Sequence, residues 1–186
     1  MRGWGIITSP LPSVLSRAAH TADGVAYVIR PICGDDAGKE RDFICGLSAA
    51  SRNSRLMYAV REPSADFIDR MVHVDYQHSM AFVAVFGAGD TQQIIGVARY
   101  AAAPGSAGCE FAIAVADEWQ TRGVGTAIAR RLLDYAREQG IHHLDARILA
   151  SNARMLGLAR WLGFVTDTNP DEYGMLDARL DLRPLT

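Results

Sequence analysis

The sequence predicts a mixed α/β fold: a mostly antiparallel central sheet flanked by helices on both faces. Three observations support that expectation. Apolar residues recur at helical spacing between residues 36 and 72, β-rich runs separated by turn residues fill 81–115, and helix and strand patterns alternate from there onwards. The 186 residues, 49% hydrophobic and 22% charged, suit one domain with a full core. No internal repeat or low-complexity segment interrupts them.

Residues 1–24 read as a flexible leader before a folded domain over 25–186. The leader carries Arg2 and Arg17 and no acid before Asp23, and Pro10 and Pro12 break any apolar stretch that would make a secretory signal. Its basic, acid-poor start also suits a transit peptide, though less well. Val25 to Ile32 then makes a short strand, with Tyr27, Val28 and Ile29 at its centre and Pro31 and Gly34 at its end. Asp35 or Asp36 caps a helix that runs to Gly46 and turns Phe43, Ile44 and Leu47 inward. Ser48 to Met57 is a second helix. Ser64 opens a third, whose Phe67, Ile68, Met71 and Val72 share one face.

Three strands follow at Ala81–Phe86, Ile94–Tyr100 and Glu110–Val115. Turns at Gly87–Asp90 and Pro104–Gly108 join them into two hairpins, an antiparallel meander. A long helix spans Arg122 to Gln139 and closes on Gly140 in the C′ position. Val124, Ile128, Leu132 and Tyr135 form its inward stripe, leaving Arg130, Arg131, Arg137 and Glu138 for water. Leu144–Leu149 is a strand, Asn152–Leu162 a helix and Tyr173–Leu182 a last strand.

Composition excludes several function classes. A formal net charge of −2 without a basic cluster argues against nucleic-acid binding. No run approaches the ~18 apolar residues that a membrane span needs. Cys33, Cys45 and Cys109 are too few and too scattered for a disulfide framework or a CxxC metal pair, and they suit buried thiols of a cytoplasmic protein. His142 and His143 point to opposite faces of a strand, so no metal is expected there. Trp119 and Trp161 read as packing residues.

The informative segment is Gln120-Thr-Arg122-Gly123-Val124-Gly125-Thr126, after a strand and opening a helix. Amides at a helix start lack intrahelical partners, and the dipole there favours negative charge, so the place suits a pyrophosphate. Gly123 and Gly125 let the backbone approach phosphate oxygens, and Arg122 adds a charge. A dinucleotide fingerprint would need a third glycine where Ile128 stands, and a P-loop would need Gly-Lys-Ser/Thr; neither occurs.

This segment resembles the acetyl-CoA signature Q/R-x-x-G-x-G/A of the GNAT N-acetyltransferase superfamily, met by Gln120, Gly123 and Gly125. The family's preceding strand is matched by Ile113-Ala114-Val115, and its following Asn-helix-Gly-Phe element by Asn152, Leu158 and Gly163-Phe164. The likeness extends to the acetyltransferase domain of bacterial Pat-type protein lysine acetyltransferases. It is carried there by Leu47-Ser48, Ser51-Arg52, Arg55, Arg61-Glu62, Asp75-Tyr76, Met80 to Val85 and Asn152-Ala-Arg154-Met155-Leu156. The resemblance implies a GNAT-like fold over 25–186 with acetyl-CoA as co-substrate and no metal. Cofactor contacts would come from Ile113, Ala114, Val115, Gln120, Arg122, Gly123, Val124, Gly125, Thr126, Asn152 and Met155. It also implies a protein lysine as acceptor and Glu110 as general base.

The chemistry explains why a base is wanted. A lysine amine has a pKa of about 10.4, so near pH 7 only about one in ~2,500 is neutral. Glu110 is the sole acid in the strand before the motif, and a carboxylate on an apolar strand is expected to be desolvated. Many family members carry a tyrosine, as acid for the leaving thiolate, where this chain has Ala159. Asp66, Asp69 and Asp75 are candidates for attracting a basic acceptor. Two alternatives stay open: transfer to a small amine such as a polyamine or amino sugar, and a non-catalytic acyl-CoA-binding module. Oligomeric state is not legible.

Overall fold

In the computed structural model, residues 15–56, 62–102 and 108–183 are described. The strands are β1 (Arg17–His20), β2 (Ala26–Pro31), β3 (Ser79–Phe86), β4 (Gln93–Ala102), β5 (Cys109–Val115), β6 (His143–Leu149), β7 (Val165–Thr168) and β8 (Met175–Asp181). The helices are α1 (Ala37–Gly46), α2 (Ala49–Leu56), α3 (Ala65–Val72), α4 (Val124–Glu138) and α5 (Ala153–Leu162). One eight-stranded sheet runs in the order β1-β2-β3-β4-β5-β6-β8-β7. Every neighbouring pair is antiparallel except β5 with β6. The fold is the expected mixed, mostly antiparallel α/β sheet with helices on both faces.

Strand alternation divides the core into two layers. On one face, Phe82, Ala98, Tyr100 and Phe111 pack with Ile128, Leu132 and Tyr135 of α4 and with Ala159 of α5. On the other, Ala81, Val83, Val97 and Ala114 meet Phe43 and Ile44 of α1 and Ile68 and Val72 of α3. Ser64 caps α3 as expected, accepting from the Phe67 amide at 3.2 Å. Gly140, at φ 72°, follows the end of α4 and donates to the Arg137 carbonyl.

Several expectations need correction or addition. Residues 17–20, inside the stretch read as a leader, form β1 and pair with β2 from Arg17↔Ile29 to His20↔Ala26. β7 was not anticipated either, since all four of its residues are exposed and no apolar alternation marks it. Arg131 is buried rather than solvated. It lies on the inward stripe three residues from Ile128, with its guanidinium 4.8 Å from the centre of the Phe82 ring. Trp161 is half exposed, not core, and carries Arg130 against its ring at 4.2 Å. Met57 and the Pro104 turn fall outside the described residues.

Asp36 was expected to cap α1, but its side chain makes no cap hydrogen bond. It is buried and accepts two bonds from the Arg30 guanidinium, at 2.6 and 2.7 Å, and a third from the Cys33 amide. The pair ties the end of β2 to the start of α1. Burial alone would raise the Asp36 carboxyl, but the Arg30 bonds outweigh it and hold the group below the ordinary carboxylate value. Its stabilisation is therefore complete above about pH 4 and is lost as the pH falls through the depressed folded value. Asp36→Ala leaves Arg30 uncompensated and should cost about 3–5 kcal/mol in urea denaturation. The variant's stability should also respond less to acidification below pH 4 than the parent's.

Candidate active site

β5 is paired with β4 along its whole length, from Gly96↔Val115 to Ala102↔Cys109. With β6 it pairs only at Cys109↔Leu144 and Glu110↔Asp145, after which the two strands part. The Ala116 amide donates to Ile95 of β4, so strand alternation turns the N–H and C=O groups of Val115 and Ile113 to the opposite, open edge. A cleft of about 1030 Å³ occupies the gap. Ile113, Ala114, Val115, Gln120, Gly123, Gly125, Thr126, Asn152 and Met155 line one half of it, and Glu110 lies towards the other. Of the residues expected around a cofactor, only Arg122 and Val124 do not line the cleft. Val124 is fully buried and has only its backbone to offer.

The loop into α4 follows from its backbone. A 3-10 turn at Asp117–Trp119 is followed by two left-handed residues, Thr121 (φ 62°) and Gly123 (φ 87°). Gly123 occupies the N-cap without a side-chain cap, and the helix's first bond runs from Ala127 N–H to its carbonyl at 3.0 Å. Among the described residues, no hydrogen bond takes up the amides from Thr121 to Thr126. Six adjacent free donors at a positive helix end make an anion cradle. At Gly125, an added Cβ would stand 3.3 Å from Val115 Cγ2, so glycine allows α4 to begin close against β5.

Side chains around this loop mainly hold it in place. Asp117 accepts from the Ser48 amide and from the hydroxyls of Ser48 and Ser51, at 2.8–2.9 Å. Gln120 Nε2 donates to the Val115 carbonyl at 3.0 Å and to Ser51 Oγ at 3.2 Å, while its Oε1 accepts from Arg154 at 2.5 Å. Gln120 is thus a brace between α2, β5 and α5. Arg122 turns away from the cleft, donating to Asp23 at 2.6 and 3.2 Å and stacking on Trp119. The Arg122 hydrogen bond holds the Asp23 carboxyl down at about 2. Asn152 Oδ1 accepts from the Met155 amide at 3.0 Å and caps α5 at the cleft wall.

Glu110 sits at the last paired position before the strands diverge, opposite Ala101 on β4 and Asp145 on β6. Its neighbour Asp145 is engaged by Arg179 at 2.6 Å and by His143 at 3.3 Å. Glu110 is exposed, so the desolvation expected of an acid on an apolar strand is absent. By strand alternation its side chain lies on the same face of the sheet as Ala114, the face that packs against α1 and α3. Ala159 is fully buried in the α4–α5 core layer, which explains why a side chain at that position does not serve the cleft.

The three aspartates expected to attract a basic acceptor do not line the cleft. Asp69 pairs with His73 at 3.1 Å. Asp75 accepts the amides of Gln77, His78 and Ser79 and the Ser79 hydroxyl, which closes the turn into β3. What sequence reasoning missed is Arg99, a lone cation in the apolar run of β4. It bonds the Met71 carbonyl at 2.7 Å and lines the cleft across from Glu110. The argument that selected Glu110, a charge on an apolar strand, would have selected it too. No cluster of three or more potential metal ligands occurs among the described residues. No described helix is long and apolar enough to cross a membrane.

Comparison with known proteins agrees with this geometry. The model of the Acetyltransferase (GNAT) family matches residues 49–164, the span from α2 to the end of α5. An acetyltransferase of Pseudomonas aeruginosa is 36% identical over 160 residues, 86% of each chain. The acetyltransferase Pat of Mycolicibacterium smegmatis is 26% identical over 163 residues, which is 87% of this chain but only 47% of that protein. The crystal structure of the GNAT domain of S. lividans Pat superposes with a TM-score of 0.81 at 26% identity, covering 91% of this chain and 98% of that one. The chain is an acetyltransferase and belongs to the GNAT family.

Proposed function

We propose that the chain takes acetyl-CoA into the β5–β6 cleft and transfers its acetyl group to the side-chain amine of a protein lysine. One observation carries the reading: a single cleft runs from six free amides at the start of α4 to the carboxylate of Glu110. The amides from Arg122 to Thr126 suit the pyrophosphate, and the open edge of β5 at Ile113 and Val115 suits the amide groups of the pantetheine arm. Because Gln120 already occupies the Val115 carbonyl, the Val115 amide and both backbone groups of Ile113 are the ones available. Ala114, Asn152 and Met155 wall the arm in, and Gln120 keeps the walls at their spacing. Arg122 contributes its backbone, while its side chain stays with Asp23. The lysine acceptor is supported by the match to Pat over most of this chain.

In the reaction, Glu110 takes a proton from the acceptor's ammonium group, and the neutral amine so formed attacks the thioester carbonyl carbon. An amide donor on the edge of β5 stabilises the oxyanion of the tetrahedral intermediate. The C–S bond then breaks, CoA leaves as a thiolate, and the proton that the amide nitrogen gives up reaches that thiolate through water, so that Glu110 is left holding the one proton the overall reaction releases. A thiol pKa of about 8.5 makes that departure feasible without a protein acid, consistent with alanine at 159.

Three measurements test this. Glu110→Gln should retain acetyl-CoA affinity by calorimetry and lose about 10²–10⁴-fold in kcat, the usual worth of an acid–base group. The deficit should narrow as pH approaches the amine's pKa of about 10.4, where the nucleophile deprotonates by itself. Wild-type turnover in this variant would remove Glu110 from the mechanism. Gly125→Val places branched carbon between Val115 and the free amides and should lower acetyl-CoA affinity at least ~10-fold. Unchanged affinity, with circular dichroism confirming the fold, would overturn the pyrophosphate assignment. Mass spectrometry after incubation with candidate proteins should find enzyme-dependent lysine acetylation. Acetylation confined to free small amines would replace the protein acceptor with a small one.

A further inference from the structure

The charge of the cleft is lopsided. Its described lining contains four arginines, Arg70, Arg99, Arg147 and Arg154, and a single acid, Glu110. Arg154 donates to Gln120 Oε1 at the α4 end. Arg147 is bonded to Glu172 at 3.4 Å. Arg99 is anchored, donating to the Met71 carbonyl at 2.7 Å and standing 3.9 Å from buried Glu40. Arg70 differs from the others. It is exposed and makes no hydrogen bond or ion pair among the described residues.

Its place on α3 is informative. Phe67, Arg70 and Met71 fall at helical spacing on the stripe that lines the cleft, and Val74 just beyond the helix lines it too. Ile68 and Val72 face the core, and the acids Asp66 and Asp69 stay outside. A cation kept only for solubility would lie with those acids. Instead it interrupts an apolar wall, one residue from the carbonyl that Arg99 grips.

We propose that the acceptor carries a carboxylate close to its amine, and that Arg70 receives that carboxylate while the amine meets Glu110. This rests on the transferase reading above and narrows its substrate class. Arg99 acts as a positioning residue, since it fixes the turn of α3 that bears Arg70. The carboxylate belongs either to a free amino acid or to an acidic residue beside a peptide lysine.

Two matched pairs separate these sources: an amino acid with its C-terminal amide, and a lysine peptide with glutamate beside the lysine against the same peptide with glutamine. In at least one pair kcat/KM should favour the carboxylate by about 10–100-fold, the worth of a charge-assisted contact, mainly through KM. The preference should shrink as salt rises. Arg70→Ala should bring the carboxylate member down towards its amide, and Arg70→Lys should restore part of the difference. The pair that discriminates identifies the source. Equal rates within both pairs, or a preference that survives Arg70→Ala, would overturn the inference and leave the transferase reading intact. No turnover of any acceptor, with acetyl-CoA still bound, would overturn both.

Discussion

Strand β5 has two edges with different fates, and the rest of the site depends on that difference. Its β4 edge is hydrogen-bonded from Cys109 to Val115, whereas its β6 edge is bonded only at Cys109 and Glu110. A row of unpaired backbone groups inside a protein is costly unless water or a ligand takes them up. The sheet tolerates the opening because β6 finds a full antiparallel partner in β8, from His143↔Asp181 to Leu149↔Met175. The two halves of the sheet are thus each satisfied on their outer sides, and the open edge between them is free for an extended molecule with amides of its own.

An open edge alone would not select a nucleotide-bearing ligand. For the proposed acetyl-CoA site, the loop from Asp117 to Gly123 would add that by ending the strand and starting α4 without a side-chain cap. The left-handed conformation at Thr121 is uncommon for a β-branched residue, so neighbouring contacts must hold the loop. Those contacts come from distant parts of the chain: Ser48 and Ser51 through Asp117, Arg154 through Gln120, and Asp23 through Arg122. Bonds to Asp117 outweigh its desolvation and keep its carboxyl below the ordinary value, so it remains an acceptor in mildly acidic solution. The N-terminal hairpin thereby contributes to the cradle although it lies 99 residues away in sequence.

Much of this was legible beforehand because it depends on local chemistry. The Gly123–Gly125 spacing and the stripe of α4 each follow from neighbours within one or two turns. What was not legible depends on register or on tertiary burial. β7 presents four exposed residues, so its pairing with β8 leaves no pattern in the sequence. Arg131 looked like its neighbour Arg130, and only the closeness of the Phe82 ring distinguishes them. The burial of Glu110 was inferred from apolar neighbours along its own strand, but exposure is set across the strand. Arg122 was read as a phosphate ligand because its partner, Asp23, is remote in sequence.

In the reaction proposed above, with Glu110 as the base, its exposure has a consequence for how catalysis is assembled. Two charges 4 Å apart interact by about 1 kcal/mol in water but about 4 kcal/mol near a protein surface at an effective dielectric constant of ~20. A base surrounded by water therefore offers an approaching ammonium little that water itself does not. The apolar groups beside the cleft, Phe67 and Met71 from α3, Val74 just after it and Ala112 from β5, become effective only when an acceptor fills the space between them and displaces solvent. A poorly fitting amine would leave Glu110 wet, and a well-fitting one would dry it. In the proposed reaction, acceptor recognition beside α3 and activation of the base by desolvation are then one event. On that proposal, a single exposed carboxylate discriminates between acceptors while the rest of the cleft stays unchanged.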